Sequence, residues 1–205
     1  MSAQANRKRD DVSGDDPVDP SDDRVYETIG GILVEREAAR ITHGVSQRRI
    51  GAGIDGFDRR SSDGDIPGGW WIATEAAVEY DPREIYHHDL AGWRRERLPT
   101  LPAGGTVSLR PDWVCEIVSP SNWARDTVTK FRTLQAHGVP HYWIVDLEHG
   151  QLTVYRFGGK VYEVAAVAQP GEKMRLEPFE ALELDVSVLM GLDPGALMPP
   201  VESTD

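Results

Sequence analysis

The chain holds a single cysteine in 205 residues, which excludes an internal disulfide. Cys115 lies in an apolar run, where a core role fits better than a nucleophilic one. No apolar stretch approaches the roughly 20 residues needed to cross a bilayer. The opening MSAQANRKRDD leads into acids rather than an apolar signal segment, so a cytoplasmic protein that does not enter a membrane is expected. Positive charge is also short: 22 Lys and Arg stand against 34 Asp and Glu, for a net charge of −12. A broad, nonspecific grip on phosphates comes from clustered Lys and Arg, so any chemistry on nucleic acid must rest on a local site. Lysine is scarce, with Lys8, Lys130, Lys160 and Lys173 the full set. Ser119 to Ser121 lack the Gly-x-Ser-x-Gly turn of a nucleophile elbow, and no internal repeat is present.

What remains fits one domain. Residues 1–23 carry seven Asp against Arg7, Lys8 and Arg9 and have hardly an apolar side chain, the composition of a disordered acidic tail. A folded domain is expected over 24–190, and a loose, proline-bearing tail over 191–205. Tyr26 to Val34 reads as two short extended pieces around Gly30-Gly31. Arg36 to Ile54 has helical spacing, and Gly56 to Gly69 reads as a loop. Short strands are expected at Trp70 to Thr74, with Glu75 at the end, and at His88 to Trp93. The basic cluster Arg94, Arg95 and Arg97 follows. Thr153 to Phe157 and Lys160 to Val167 form a hairpin about Gly158-Gly159, and Met174 to Leu184 adds an edge strand.

The centre of the chain is RPDWVCEIVSPSNWARDTVTKFRTLQAHGVPHYWIVDLEHGQLTVYRF, residues 110–157. Trp113 to Val118 predicts a strand buried on both faces, a helix runs from Arg125 or Asp126 to His137, and Tyr142 to Asp146 is a second buried strand. Strand, helix and strand at this spacing imply a crossover in a covered sheet, and hence an α/β (α+β) fold.

Glu116 is the anomaly, since an ionised carboxylate in such a strand is costly unless paired or bound to a metal. Asp112 shares its face but lies roughly 13 Å away along the strand, too far to grip one ion with it. A second carboxylate must come from a neighbouring strand, and Asp89 in HHDLAGW is the candidate. Lys130 falls about 40° from Leu134 around the helix, at the border of the buried stripe, from which it can reach the sheet. A compact charge there could hold a water or stabilise charge developing on a phosphate.

The run from Pro111 to Asp146 resembles the signature of the Uma-type restriction endonuclease family, in the PD-(D/E)XK nuclease superfamily. YETIGGILVE with Thr42-His43, and DLAGWRRERLP, resemble the family's opening hairpin, first helix and middle strand. The resemblance covers Tyr26 to Leu189. It implies a restriction endonuclease-like fold, a mixed sheet flanked by helices with extra hairpins, cutting DNA phosphodiesters with Mg²⁺ or Mn²⁺. It puts the first acid on Asp89 and the second on Glu116, both as metal ligands. The lysine normally two residues after the second acid would fall on Val118. Related enzymes carry it on the following helix, here Lys130. His88 stands where the family has a proline. Glu75, His43 and Asp112 are outer-site candidates, and a homodimer is expected from the resemblance alone.

Blander readings stand beside these. Glu116 could pair with Arg125 or Arg132, Asp89 with the arginine cluster, and Lys130 could be a snorkelling surface lysine. Asp112 could serve strand entry, Asp126 the helix N-terminus, and Asp146 a turn. Trp123, Tyr142 and Trp143 are more often core than stacking platforms. His87 and His88, facing opposite ways on a strand, do not make a zinc site. Three functions follow: the nuclease, a degenerate nucleic-acid- or protein-binding module of the same fold, and a phosphoester hydrolase for small substrates.

Overall fold

The computed structural model describes residues 24–36, 39–59, 68–119 and 123–194. The expected acidic tail and nearly all of the expected C-terminal tail lie outside them. Strands β1 (Tyr26–Ile29) and β2 (Ile32–Glu35) form the expected opening hairpin. Gly30 and Gly31 turn it at φ of 61° and 85°, where a side chain would be strained. The helix expected from Arg36 starts later, as α1 (Ile41–Ile54).

Two strands outrun their sequence signal. Strands β3 (Trp70–Asp81) and β4 (Glu84–Arg94) make a long antiparallel hairpin. Glu75 sits inside β3 rather than at its end, at φ 50°, a left-handed conformation uncommon for a residue with a Cβ. The register passes across it from Thr74↔Leu90 to Ala76↔His88.

After β5 (Thr106–Val107), β6 (Trp113–Val118) is buried throughout. Wide, π-type turns over Arg125–Lys130 lead into α2 (Phe131–Ala136). Gly138, at φ 63°, ends it. Strand β7 (His141–Asp146) then lies parallel to β6 from Trp113↔His141 to Val118↔Asp146, the expected crossover. Strands β8 (Gln151–Phe157) and β9 (Tyr162–Ala168) complete the sheet, ordered β2-β1-β4-β6-β7-β8-β9 with β3 joining β4 to β5.

The single edge strand expected at Met174 to Leu184 does not form. Instead β10 (Lys173–Met174) pairs with β11 (Leu184–Asp185), and the intervening Leu176 and Phe179 plug the core. Helix α3 (Val186–Leu189) follows, its first amides capped by Asp185.

Alternation divides the sheet into two buried faces. Cys115, Ile117, Trp143 and Val145 pack with Ile50 and Ile54 of α1 and with Val186 and Leu189 of α3. Val114, Val118, Tyr142 and Ile144 pack under Leu134 of α2. Cys115 is core, as expected, while Trp123 is not: it is 49% exposed.

Candidate active site

The site forms where β4 changes partners. Strand β1 pairs with β4 only at Thr28↔Ile85 and Ile29↔Glu84, and β6 pairs with it only from Leu90↔Cys115 to Gly92↔Trp113. Between these lie Tyr86 to Asp89, of which His87 and His88 keep β3 partners on the other edge; the backbone groups of His87 and Asp89 that face the gap must find partners elsewhere if they are buried. Side chains supply them. Glu27 Oε1 accepts from His87 N at 2.9 Å, Lys130 Nζ donates to His87 O at 3.2 Å, and Gln47 Nε2 donates to Asp89 O at 2.7 Å. In turn Asp89 Oδ2 accepts from Ile117 N at 2.7 Å. The strand also twists here. Leu90 packs toward α1, whereas His88, two residues earlier, bonds Glu116, which lies between Val114 and Val118 on the α2 face.

On that face Lys130 is buried among three carboxylates, 3.0 Å from Glu27 Oε1, 3.1 Å from Glu116 Oε1 and 3.3 Å from Asp126 Oδ1. Burial works to lower the Lys130 pKa, but Glu116, Asp126 and Glu27 outweigh it and hold the ammonium charged. Glu27 is also pushed up by burial, yet Lys130 and Arg125 bring it below the usual carboxylate range. Glu116 goes the other way: burial lifts its pKa well above normal, and the pull of Lys130 does not offset burial with Asp89, Asp126 and Glu27 nearby. His88 Nδ1 lies 2.5 Å from Glu116 Oε1 and its Nε2 lies 2.8 Å from Tyr80 Oη. Burial keeps the His88 ring neutral, and its two bonds fix its orientation.

On the α1 side, His43, Glu75 and Asp89 bring donor atoms within 4.8 Å of one another. His43 Nε2 is 3.3 Å from Asp89 Oδ1 but is not aligned as a hydrogen bond, and it is a buried nitrogen without such a partner. Burial would lower the His43 pKa, but Asp89 raises it. The same carboxylate, with Lys130 and the Ile117 amide adding to the His43 contact, is held below its usual range against burial. A nitrogen and two carboxylates, Glu75 exposed and Asp89 buried, fit a divalent cation by donor type. Arg36 bridges the acids, bonding Glu75 through Nη1 and Asp89 through Nη2 at 2.8 Å.

Glu116 is not in this group and pairs with Lys130 and His88 rather than with Arg125 or Arg132. Asp112 lies at the far end of β4, where it accepts from Arg94 N at 2.8 Å and pairs with Arg97. Asp126 is buried beside Lys130, and Asp146 Oδ1 accepts from the Glu148 and His149 amides of its turn. Glu27, Arg36 and Gln47 enter without having been expected. Glu27 alone had a readable signal, an acid inside the short strand YETI, the same anomaly that marks Glu116.

The model of the Uma2 family, described as "Putative restriction endonuclease", matches residues 17–187. The chain belongs to the Uma2 family. Among four matching chains of solved structures is one titled a putative nuclease belonging to DUF820 from Anabaena variabilis. It is 19% identical over 83% of this chain and 92% of that one, with a TM-score of 0.66. Uma2 membership and this likeness give the mixed sheet with flanking helices its place among restriction endonuclease-like folds. No curated protein matches the chain. Among the described residues no helix is long and apolar enough to cross a membrane.

Proposed function

We propose that the protein is a metal-dependent endonuclease that hydrolyses DNA phosphodiester bonds at the break in β4. The reading is supported by one observation above all. The metal-donor group of His43, Glu75 and Asp89 and the buried Lys130–Glu116 pair meet across adjacent residues, His88 and Asp89, of a single strand.

Asp89, with Glu75 and His43, would hold Mg²⁺ or Mn²⁺. Such an ion supplies polarisation of the phosphate and a bound water of lowered pKa. Lys130 keeps its charge and offsets the negative charge that develops on the phosphate. Glu116, once it has released its own proton, is a base strong enough to take one from the attacking water, and neutral His88 fixes its orientation.

The position of Lys130 meets the difficulty posed by Val118, since the helical lysine reaches the second acid at 3.1 Å. A second arrangement has Glu116 sharing the ion with Asp89. Its support is that Asp89 is close enough to raise the Glu116 pKa. Cleavage of plasmid and single-stranded DNA with Mg²⁺ or Mn²⁺, beside Asp89→Asn and Glu116→Ala, tests the function. Activity retained by either variant refutes this site. A non-cutting module of the same fold predicts no cleavage and no specific Mn²⁺ uptake by calorimetry.

A further inference from the structure

The candidate metal donors already hold a cation of the chain's own. One oxygen of Asp89, Oδ2, accepts from the Ile117 amide at 2.7 Å. The other, Oδ1, is the atom that Arg36 Nη2 bonds at 2.8 Å and that His43 Nε2 faces at 3.3 Å. The second guanidinium nitrogen bonds Glu75, so one planar fork spans both carboxylates of the group. The Arg36 side chain is only 15% exposed. It comes from the residue just after β2, whose amide donates to Val25 O at 2.8 Å, so the backbone is anchored while the guanidinium is held by the two acids.

A divalent ion at His43, Glu75 and Asp89 would need the same Oδ1 and the same Glu75 carboxylate. Two cations cannot share those oxygens without strong repulsion.

Resting on the nuclease reading, we propose that Arg36 is an internal counter-ion that a divalent cation displaces. The metal-free site is closed by Arg36. Metal entry frees the guanidinium beside the ion, where it can meet the phosphate of a bound strand. Metal affinity is therefore the net of coordination and the loss of two charge-assisted hydrogen bonds. Arg36 sets how much metal is needed to open the site.

Calorimetric titration of the metal-free full chain with Mn²⁺, beside Arg36→Gln and Arg36→Lys at one ionic strength, tests this. Arg36→Gln is expected to bind Mn²⁺ about tenfold more tightly, roughly 1.4 kcal/mol. Arg36→Lys, whose single ammonium cannot bridge both acids, should fall between. Mn²⁺ should also raise the Tm of Arg36→Gln by more than that of the unaltered protein. Should Arg36→Gln fail to fold, the lysine variant carries the comparison alone. Normal Mn²⁺ uptake that is indifferent to residue 36, or weakened in both variants, overturns the counter-ion role and leaves the nuclease reading intact. Uptake by none of the three proteins overturns both.

Discussion

The ammonium of Lys130 lies 3.2 Å from the backbone oxygen of His87, so a helix side chain fills the place of a missing strand partner. The same nitrogen is the shared counter-ion of Glu27, Glu116 and Asp126. Removing it strands the charge of Glu27, which it helps to hold ionised, and takes the ammonium from Glu116 and Asp126, and breaking a buried pair costs about 3–5 kcal/mol. Lys130→Met should therefore lower stability by that order in urea unfolding. Arg125, at 3.5 Å from Glu27, cannot replace it, because it is 3.9 Å from Asp126 and has no contact with Glu116. A loss below about 1 kcal/mol would mean that Glu27 too is neutral in the folded protein.

Glu116 carries the opposite sign. Its folded pKa lies well above the ordinary 4.5, so below that value both states are protonated and it contributes nothing to pH dependence. As pH rises past 4.5 the unfolded chain releases the proton while the folded one retains it, and stability falls. Glu116→Gln removes that penalty. The variant should be more stable than the unaltered protein at pH 7, read as a higher Tm, with the advantage gone near pH 4. Equal melting curves at pH 7 would show that Glu116 ionises freely. Cleavage should be lost in the same variant, a trade of stability against function.

This bears on what the sequence could reveal. Trp113 to Val118 and Tyr142 to Asp146 were legible because continuous burial leaves a continuous apolar run, and Glu116 stood out against it. Lys130 followed from helical geometry, and its pairing with Glu116 follows from the crossover. Strands β3 and β4 were cut short because Glu75 reads as an end and His88 as a start. In the structure they are an irregular step and a change of partner inside longer strands. Arg36 was illegible for another reason: it acts through contacts 39 and 53 residues away, and no local pattern marks such a partner.

The metal arrangement has its own test in Mn²⁺ affinity. With the ion held by His43, Glu75 and Asp89, Asp89→Asn should abolish uptake, and Glu75→Gln and His43→Ala should each weaken it about 10- to 100-fold, the size of a lost ligand or its close support. Glu116→Gln should bind Mn²⁺ within about threefold of the unaltered protein, less than 1 kcal/mol, while failing to cut. If Glu116→Gln loses uptake as fully as Asp89→Asn, the ion is shared across the strand and Glu116 is a ligand.

Asp112 should behave as a structural residue despite its place beside Pro111 in the family-like run. Its Oδ2 accepts from Arg94 N at 2.8 Å, its Oδ1 pairs with Arg97, and it is 7% exposed. It thus closes the end of β4 opposite the break at His87 to Asp89. Asp112→Ala leaves the Arg94 amide without its acceptor and frees the Arg97 fork, a loss of about 1–3 kcal/mol for an unmet buried donor. Asp112→Asn keeps an acceptor for the amide and should lose less. Neither change touches His43, Glu75, Asp89, Glu116 or Lys130, so Mn²⁺ affinity should stay within about twofold, roughly 0.4 kcal/mol, at temperatures where the variants are folded. A Mn²⁺ affinity that falls in Asp112→Asn while the melting curve holds would put Asp112 in the metal's outer sphere and extend the site along β6.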